Sequence, residues 1–289
     1  MSRVTAIQRL YLASVGFLAI TVGFWCYVDP SQSANGIPWT LPALCATFLG
    51  SMYLSGAVYT ALCIFSKRWG EIQMFMPQCA LWTGGLALVS LFYIPAFDFS
   101  RHQTWFWWLA YVAFPITAAV LLWIHRAEWN APLEEDINFP RAIKIYLRAQ
   151  GSVMIALGLA LLFAPELMQS VWAWKTGVMM LQLYSMPLVA YGVGSWFMSL
   201  LGGWEKIRNA LMAQAIFFSA ELLASLRFVG LLDGPTISVA IWIGGFASMT
   251  VALWVLSGWA IKATAKRSQN LSRQNWNDAQ TVLAERSVS

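Results

Sequence analysis

The sequence predicts an all-α integral membrane protein, and three observations support this fold class. Of the 289 residues, 59% are hydrophobic and only 11% are charged, whereas about 25% of the residues in a typical soluble domain carry a charge. The mean hydropathy is +0.60. Eight stretches reach the roughly 20 apolar residues that a membrane-crossing helix requires. These observations argue against a water-soluble globular fold.

We therefore expect eight transmembrane helices, each bounded by polar residues, proline or glycine. The stretches lack the polar and apolar alternation of a membrane barrel strand, so helices are the expected structure. The first stretch follows basic residues, as in a cleaved signal peptide, but its apolar run is long for that role, and we expect a retained helix. The predicted spans are 10–28, 40–65, 73–97, 105–124, 146–164, 178–202, 208–232 and 236–261.

The basic residues of the connections predict the orientation, because cytoplasmic loops of membrane proteins carry an excess of Lys and Arg. With eight spans, one set of loops holds only Arg101 and Lys175. We expect both termini on the cytoplasmic side, as in a bacterial-type inner-membrane protein. Topology then explains the net charge of +5, and no nucleic-acid partner is needed. The cytoplasmic set comprises Arg3, Arg9, Lys67, Arg68, Arg126, Arg141, Lys144, Arg148, Lys206, Arg208, Lys262, Lys266, Arg267, Arg273 and Arg286.

A shift of 135 residues aligns the two halves of the chain without a gap and pairs similar residues at equivalent span borders. We interpret this as a tandem duplication; the alternative is two unrelated halves that share the general anatomy of membrane helices. Each unit has four spans, so both would enter the membrane in the same sense, as in a parallel repeat. The pairs include Gly16 with Gly151, Gly23 with Gly158, Pro30 with Pro165, Trp39 with Trp174, Asp98 with Asp233, and Trp107 with Trp242.

The predicted organisation has four parts. Residues 1–125 form the first four-helix repeat, 126–145 a cytoplasmic acidic linker, 146–262 the second repeat, and 263–289 a polar tail that we expect to be frayed or weakly helical. The acidic residues of the linker are Glu128, Glu134, Glu135 and Asp136. A solvated linker is favoured over a metal site, because nothing in the sequence fixes the geometry of these carboxylates.

Tryptophans near the predicted ends of the spans are typical of lipid-facing aromatic belts. A cluster such as Trp105, Trp107 and Trp108 could instead line the access path of a hydrophobic ligand. The predicted outer belt contains Trp25, Trp39, Trp105, Trp107, Trp108, Trp172 and Trp174, and the inner belt contains Trp69, Trp123, Trp129, Trp204 and Trp259.

Glu221 is the clearest polar exception inside a span, where a charged residue costs about 2.5–3.5 kcal/mol. Gln214 and Ser225 fall on the same helix face, and Arg227 lies nearer the outer end, where it can reach the headgroups. We expect a protonated carboxyl unless a cation lies beside it. The candidate roles are a proton-coupling acid, a ligand anchor, or a structural acid bonded to another helix. The corresponding residue of the first half is Leu86.

Other residues give little indication of chemistry, and we expect no catalytic residue, no metal and no cofactor. His102 and His125 flank one predicted span, so the bilayer separates them and they cannot jointly bind a haem or a metal. Nucleotide-binding and hydrolase motifs are absent from the sequence. The four cysteines are expected to be free thiols, with a disulfide between Cys26 and Cys45 as the alternative.

Three classes of function remain. The favoured one is a binding or scaffold module, or an accessory subunit, whose partners are membrane lipid, another membrane subunit or a hydrophobic small molecule. A transporter that uses Glu221 as its proton-coupling carboxyl is the alternative. A membrane-embedded enzyme acting on a lipid or isoprenoid is the weakest, because acid–base chemistry usually requires more than one positioned titratable group.

Overall fold

The computed structural model describes residues 2–131, 137, 139–201 and 203–288, with side chains described through Arg267 and at Gln269. Helices make up nearly all of this part of the chain, and it contains no β-strand. Short 3-10 helices lie in four of the connections, at Pro30–Asn35, Ile94–Ala96, Arg126–Glu128 and Val229–Leu231. The α-helices are α1 (Ala6–Tyr27), α2 (Ala43–Phe65), α3 (Trp69–Ile72), α4 (Phe75–Leu91), α5 (His102–Ile124), α6 (Arg141–Phe163), α7 (Pro165–Val171), α8 (Val178–Leu201), α9 (Trp204–Arg227) and α10 (Thr236–Val288).

Within the described ranges, seven helical segments are long and apolar enough to cross a membrane. They are α1, α2, α3 together with α4, α5, α6, α9 and the Thr236–Arg267 part of α10. Helix α8 is of similar length, but it is not among the seven. The architecture is that of a multi-pass helical membrane protein.

Local sequence signals explain several helix starts. The side chains of Thr5 and Gln8 form a capping box at α1, in which Thr5 N donates to Gln8 Oε1 over 2.8 Å and Gln8 N donates to Thr5 Oγ1 over 3.3 Å. Pro42 and Pro140 immediately precede α2 and α6. A proline is favourable at a helix start because the N–H groups there have no acceptor within the helix, so the N–H that proline lacks costs no hydrogen bond.

The last helix extends beyond its predicted span of 236–261. The tail at 263–289 was expected to be frayed or weakly helical, and α10 continues through it to Val288. The sequence has no proline or glycine after Gly258, so it contains no strong helix breaker in this segment. The connection before α6 ends earlier than the predicted linker, which ran to residue 145, because α6 begins at Arg141. Its residues Glu134, Glu135 and Asp136 lie outside the described part of the chain.

The helices pack in pairs within each half and in crossed pairs between the halves. In the first half α1 packs on α2 and α4 on α5; in the second half α6 packs on α8 and α9 on α10. Between the halves, α2 packs on α9 and α4 packs on α8. These four helices form the centre of the bundle, whereas α1, α5, α6 and α10 expose more of their apolar surface.

Local geometry recurs at the 135-residue offset. Helices α1, α2, α3 and α5 begin within one residue of the positions that the offset assigns to α6, α8, α9 and α10. Trp107 Nε1 donates to Ser90 Oγ over 3.0 Å, and at the corresponding positions Trp242 Nε1 donates to Ser225 Oγ over 2.9 Å. The ring centroids of Trp39 and Trp107 lie 5.0 Å apart, and those of the corresponding Trp174 and Trp242 lie 4.9 Å apart.

The two ends of the bundle differ in their connections. Residues 2–5, 66–69, 125–129 and 203–208 meet at one end, which we call the basic end. There Val4 N donates to Lys67 O and Trp69 N donates to Ser2 O, each over 3.0 Å. Residues 28–42, 92–101, 172–177 and 228–235 lie at the opposite end, where Gly234 N donates to Ala173 O over 3.1 Å.

Several tryptophans that were assigned to lipid-facing belts lie inside the bundle instead. Their indoles pack against other rings or donate to serine hydroxyls, so amphipathic side chains near a span border do not necessarily face the headgroups. Trp105 and Trp123 are exposed, at 60% and 68%. The buried ones are Trp69, Trp107, Trp172, Trp174 and Trp204.

Candidate functional site

Glu221 lies in the middle of α9, is fully buried, and faces α2 of the other half. Ser51 Oγ on α2 lies 3.2 Å from Glu221 Oε2. Ser225 Oγ, one turn further along α9, lies 3.2 Å from Glu221 Oε1. Ser225 in turn accepts the 2.9 Å hydrogen bond from Trp242 Nε1 on α10. The acid therefore links three helices.

The number of hydrogens available to this series of hydrogen bonds favours a neutral Glu221 carboxyl. The single hydroxyl hydrogen of Ser51 also lies within reach of Phe48 O, which is 2.7 Å from Ser51 Oγ. If Ser51 donates to Phe48 O, Glu221 must donate to Ser51, and it does so only when protonated. The chain then runs without interruption from the Trp242 N–H through Ser225, Glu221 and Ser51 to the Phe48 carbonyl.

Aromatic rings surround this acid, which makes ionisation there costly. The Phe48 ring lies 5.2 Å from that of Trp242 and 6.3 Å from that of Phe217, and Phe246 lies 4.6 Å from Trp242. No ion pair in the described part of the chain includes Glu221. This geometry fits a structural hydrogen bond that links the two halves.

The other residues of the predicted polar stripe bond elsewhere. Gln214 accepts hydrogen bonds from Gln150 Nε2 at 2.9 Å and from Ser195 Oγ at 3.0 Å, and it donates to Tyr191 O. Arg227 donates to Tyr27 O and Val28 O at the end of α1, over 3.1 and 3.4 Å. The structure thus joins Ser225 to Glu221 and keeps Gln214 and Arg227 in separate interactions.

A second polar feature inside the bundle is a small cavity, which we call the tyrosine cavity. It has a volume of about 60 Å³ and lies between α1, α2, α4, α5 and α8. Seven of its 15 lining residues are aromatic. The residues that matter for its chemistry are Tyr53, Tyr59, Gln78, Trp82, Tyr111 and Tyr191.

Two polar side chains of the tyrosine cavity have no hydrogen-bond partner in the part of the chain that the structure describes. Both amide atoms of Gln78 and the hydroxyl of Tyr59 are unpaired, although these residues are only 6% and 5% exposed. The other tyrosines are paired, Tyr53 with Tyr111 and Tyr191 with Ser55. A buried polar group without a partner costs about 1–3 kcal/mol. Gln78 and Tyr59 are therefore the residues of the lining whose hydrogen-bonding capacity is unused in the described part of the chain.

Part of the cavity wall is formed by residues that also reach the outer surface of the bundle. Val15 and Leu18 of α1 and Phe114 of α5 line the cavity and are partly exposed on the surface of the bundle. Glu221 is not among the residues that line the tyrosine cavity.

The sequence prediction did not include Gln78, Tyr59 and the tyrosines around them, because none of these residues is charged and only charged residues inside a span stand out by their cost. A usable signal was present: Tyr53, Tyr59, Tyr111 and Tyr191 lie inside predicted spans and not at their borders, where tyrosine is usually enriched.

A third polar cluster lies at the basic end, around His125 and Glu128. The His125 ring stacks on Trp69 at 4.1 Å, and its Nδ1 lies 3.0 Å from Glu128 Oε1. Ser2 donates to Glu128 through its backbone N–H over 2.6 Å and through its hydroxyl over 2.8 Å. Partial burial raises the pKa of Glu128, but the hydrogen bonds from His125 and Ser2 outweigh it and lower that pKa to about 2.

The four cysteines are free and buried, as predicted, so no disulfide joins Cys26 to Cys45. His102 and His125 lie at opposite ends of α5. Comparison with known proteins finds no family model, no curated protein and no solved structure that matches this chain.

Proposed function

We propose that this chain is a membrane-embedded binding module that holds the polar end of a lipophilic small molecule in the tyrosine cavity. The observation that carries this proposal is the unpaired amide of Gln78 in an aromatic cavity that borders on lipid. Ligand sites are typically apolar pockets with a few convergent polar groups, and this cavity has that composition.

The size of the cavity limits what it can hold. A water molecule occupies about 30 Å³ of the liquid, so a cavity of about 60 Å³ takes one oxygen-bearing group, such as a hydroxyl or a carbonyl with its carbon. The rest of the molecule would lie in the bilayer against Val15, Leu18 and Phe114. An isoprenoid or other long-chain alcohol or ketone has this chemistry.

The proposed scaffold is a tandem repeat of four and four membrane-crossing helices, with residues 1–125 and 146–262 as the two units. The recurring helix starts and the matching Trp107–Ser90 and Trp242–Ser225 bonds support a duplication. Both termini would lie on the cytoplasmic side, which the distribution of Lys and Arg supports. In this arrangement α8 is the sixth crossing.

A transporter that uses Glu221 as its coupling acid has less support. A coupling carboxyl must exchange its proton with water during each cycle, whereas Glu221 is fully buried and bonded to Ser51 and Ser225 among aromatic rings. A binding role leaves this acid as a fixed part of the scaffold.

The test is co-purification. The protein is isolated from its membrane in a mild detergent, and the bound lipophiles are extracted and quantified by mass spectrometry. We expect about one neutral, oxygen-bearing lipophile per chain in the wild type and a severalfold loss in Gln78→Leu and Tyr59→Phe. Leucine keeps the bulk of Gln78 and removes its hydrogen-bonding groups.

The matched control is Gln182→Leu, which removes a partly buried amide that donates to Leu162 O outside the cavity. It should leave the bound lipophile unchanged. The proposal is overturned if the wild type carries no such compound, or if the Gln78 variant retains as much of it as the control.

A further inference from the structure

A groove at the basic end has a different chemistry from the tyrosine cavity. It has a volume of about 560 Å³ and runs between the end of α2, the start of α9 and α10. One wall of the groove is apolar and partly open to lipid, because Phe65 is 82% exposed and Ile261 is 54% exposed. Leu62 and Met212 continue this wall toward the interior.

The other wall of the groove carries a positively charged side chain, Arg208, and a negatively charged one, Glu205. Arg208 NH1 lies 3.1 Å from Glu205 Oε2, and Arg208 NH2 lies 3.3 Å from Glu71 Oε2. The Arg208 side chain is nevertheless 38% exposed, and it lines the groove. Guanidinium groups bind phosphate oxygens well because their N–H groups form a planar fork. The Glu205 carboxylate beside it can accept hydrogen bonds from an ammonium group.

We propose that this groove binds one aminophospholipid, of the phosphatidylethanolamine class, from the membrane leaflet at the basic end. Its phosphate lies against Arg208, its ammonium against Glu205, and one acyl chain lies along Phe65, Leu62 and Ile261. The adjacent opposite charges complement a zwitterionic headgroup, and the apolar wall begins where the chains of such a lipid would begin.

The place that corresponds to this groove at the offset, between the end of α8 and the segment after α5, is filled. At the 135-residue offset Trp129 corresponds to Thr264, and Phe197 corresponds to Leu62. The rings of Trp129 and Phe197 pack with centroids 5.7 Å apart. A tryptophan at position 264 should therefore close the groove, and this gives a test that leaves Arg208 and Glu205 unchanged.

The experiment places the full-length protein in nanodiscs that contain equal amounts of phosphatidylethanolamine, phosphatidylcholine and phosphatidylglycerol. The lipids retained after extraction into detergent are then counted by native mass spectrometry. We expect about tenfold enrichment of phosphatidylethanolamine over the other two lipids, as for a difference of a few charge-assisted contacts. Thr264→Trp and Arg208→Ala should each abolish this enrichment.

Leu226→Trp, at a lipid-exposed position near the opposite end, is the control for adding a tryptophan. The inference is overturned if Thr264→Trp retains the lipid as the control does, or if the three lipids are retained equally. It is also overturned if glycerophosphoethanolamine, which has the headgroup without chains, displaces the lipid at equal concentration. None of these outcomes affects the tyrosine cavity, so the two proposals can fail separately.

Discussion

At the scale of single residues, the polar groups inside the bundle are arranged as short hydrogen-bond chains that end on backbone carbonyls. Glu221 belongs to such a chain, between Ser225 and Ser51, and Gln214 belongs to another, between Gln150 and Tyr191 O. Lipid supplies no hydrogen bonds, so each group must find its partner in the protein. Gln78 and Gln73 are the two amides with both side-chain atoms unpaired in the described part of the chain, and of these two only Gln78 lines the tyrosine cavity.

The neutral state of Glu221 can be tested directly. Glu221→Gln can still accept from Ser225 and donate to Ser51, so we expect its free energy of unfolding to stay within about 1 kcal/mol of wild type, whereas Glu221→Leu should lose about 1–3 kcal/mol. Infrared spectra at pH 7 should show a protonated carboxyl band that Glu221→Gln removes. Leu86→Gln, at the corresponding position, is the control and should destabilise, because it buries an amide without built partners. A spectrum without that band would show an ionised acid.

Glu128 gives a pH-dependent contribution at the basic end. Its pKa is lowered from its ordinary value of 4.5 to about 2 in the folded protein, so it stabilises the fold fully above pH 4.5 and progressively less as the pH falls toward 2. Glu128→Gln should lower the unfolding temperature at pH 7, and the difference from wild type should shrink below about pH 4.5. Thermal unfolding between pH 3 and pH 7 measures this. Glu166→Gln, exposed in α7 at the opposite end, should show no such difference.

At the scale of helices, close packing depends on glycines where two helices of one half cross. A Cβ added to Gly192 of α8 would lie 2.7 Å from Gly151 O and 2.8 Å from Ile155 N, both on α6. Small residues at such crossings let membrane helices approach closely. By contrast, a Cβ added at Gly244 of α10 would meet no atom within 4 Å.

These two glycines make a matched pair for mutation. Gly192→Ala should destabilise the protein by about 1–3 kcal/mol, because α6 and α8 must separate to admit the methyl group. Gly244→Ala should cost nothing or stabilise by up to about 1 kcal/mol, because alanine is the better helix former. Unfolding in detergent, followed by tryptophan fluorescence, compares them. Equal effects would contradict the close crossing of α6 and α8.

At the scale of the whole molecule, the two halves are held together by exchanged contacts. Helix α2 of the first half packs on α9 of the second, and α8 of the second half packs on α4 of the first. Because α2 and α8 correspond at the offset, as do α4 and α9, this exchange resembles a two-fold relationship. The Glu221–Ser51 bond lies at one of these contacts and has no polar counterpart at the other, where Leu86 takes the place of the acid.

The number of crossings decides where the carboxyl-terminal tail lies. With eight crossings, Lys67 and Lys262 lie on one side of the membrane and Lys175 on the other; if α8 does not cross, Lys262 joins Lys175. Each lysine is replaced by cysteine in a variant whose four native cysteines are removed, and an impermeant thiol reagent is applied to intact cells. We expect labelling of the cysteine at position 175 alone. Labelling at both 175 and 262 would contradict the eight-span topology.

The sequence by itself determined the fold class and most helix positions, because both depend on hydropathy along short stretches of chain. The prediction for 40–65 lies close to α2, at Ala43–Phe65, and that for 178–202 lies close to α8, at Val178–Leu201. It also drew attention to Glu221. Its boundary for the last span, 236–261, falls short of the end of α10, because a polar segment continues the helix to Val288.

Only the tertiary structure decided which faces of the helices meet. In a soluble protein the buried face of a helix is marked by its apolar stripe, but lipid is as apolar as the interior, so no such stripe marks it here. For this reason the sequence did not show that Trp69 and Trp204 are buried, or that α2 packs on α9. The convergence of Tyr59 and Gln78 on one cavity likewise depends on how α2 and α4 are rotated, which local hydropathy does not encode.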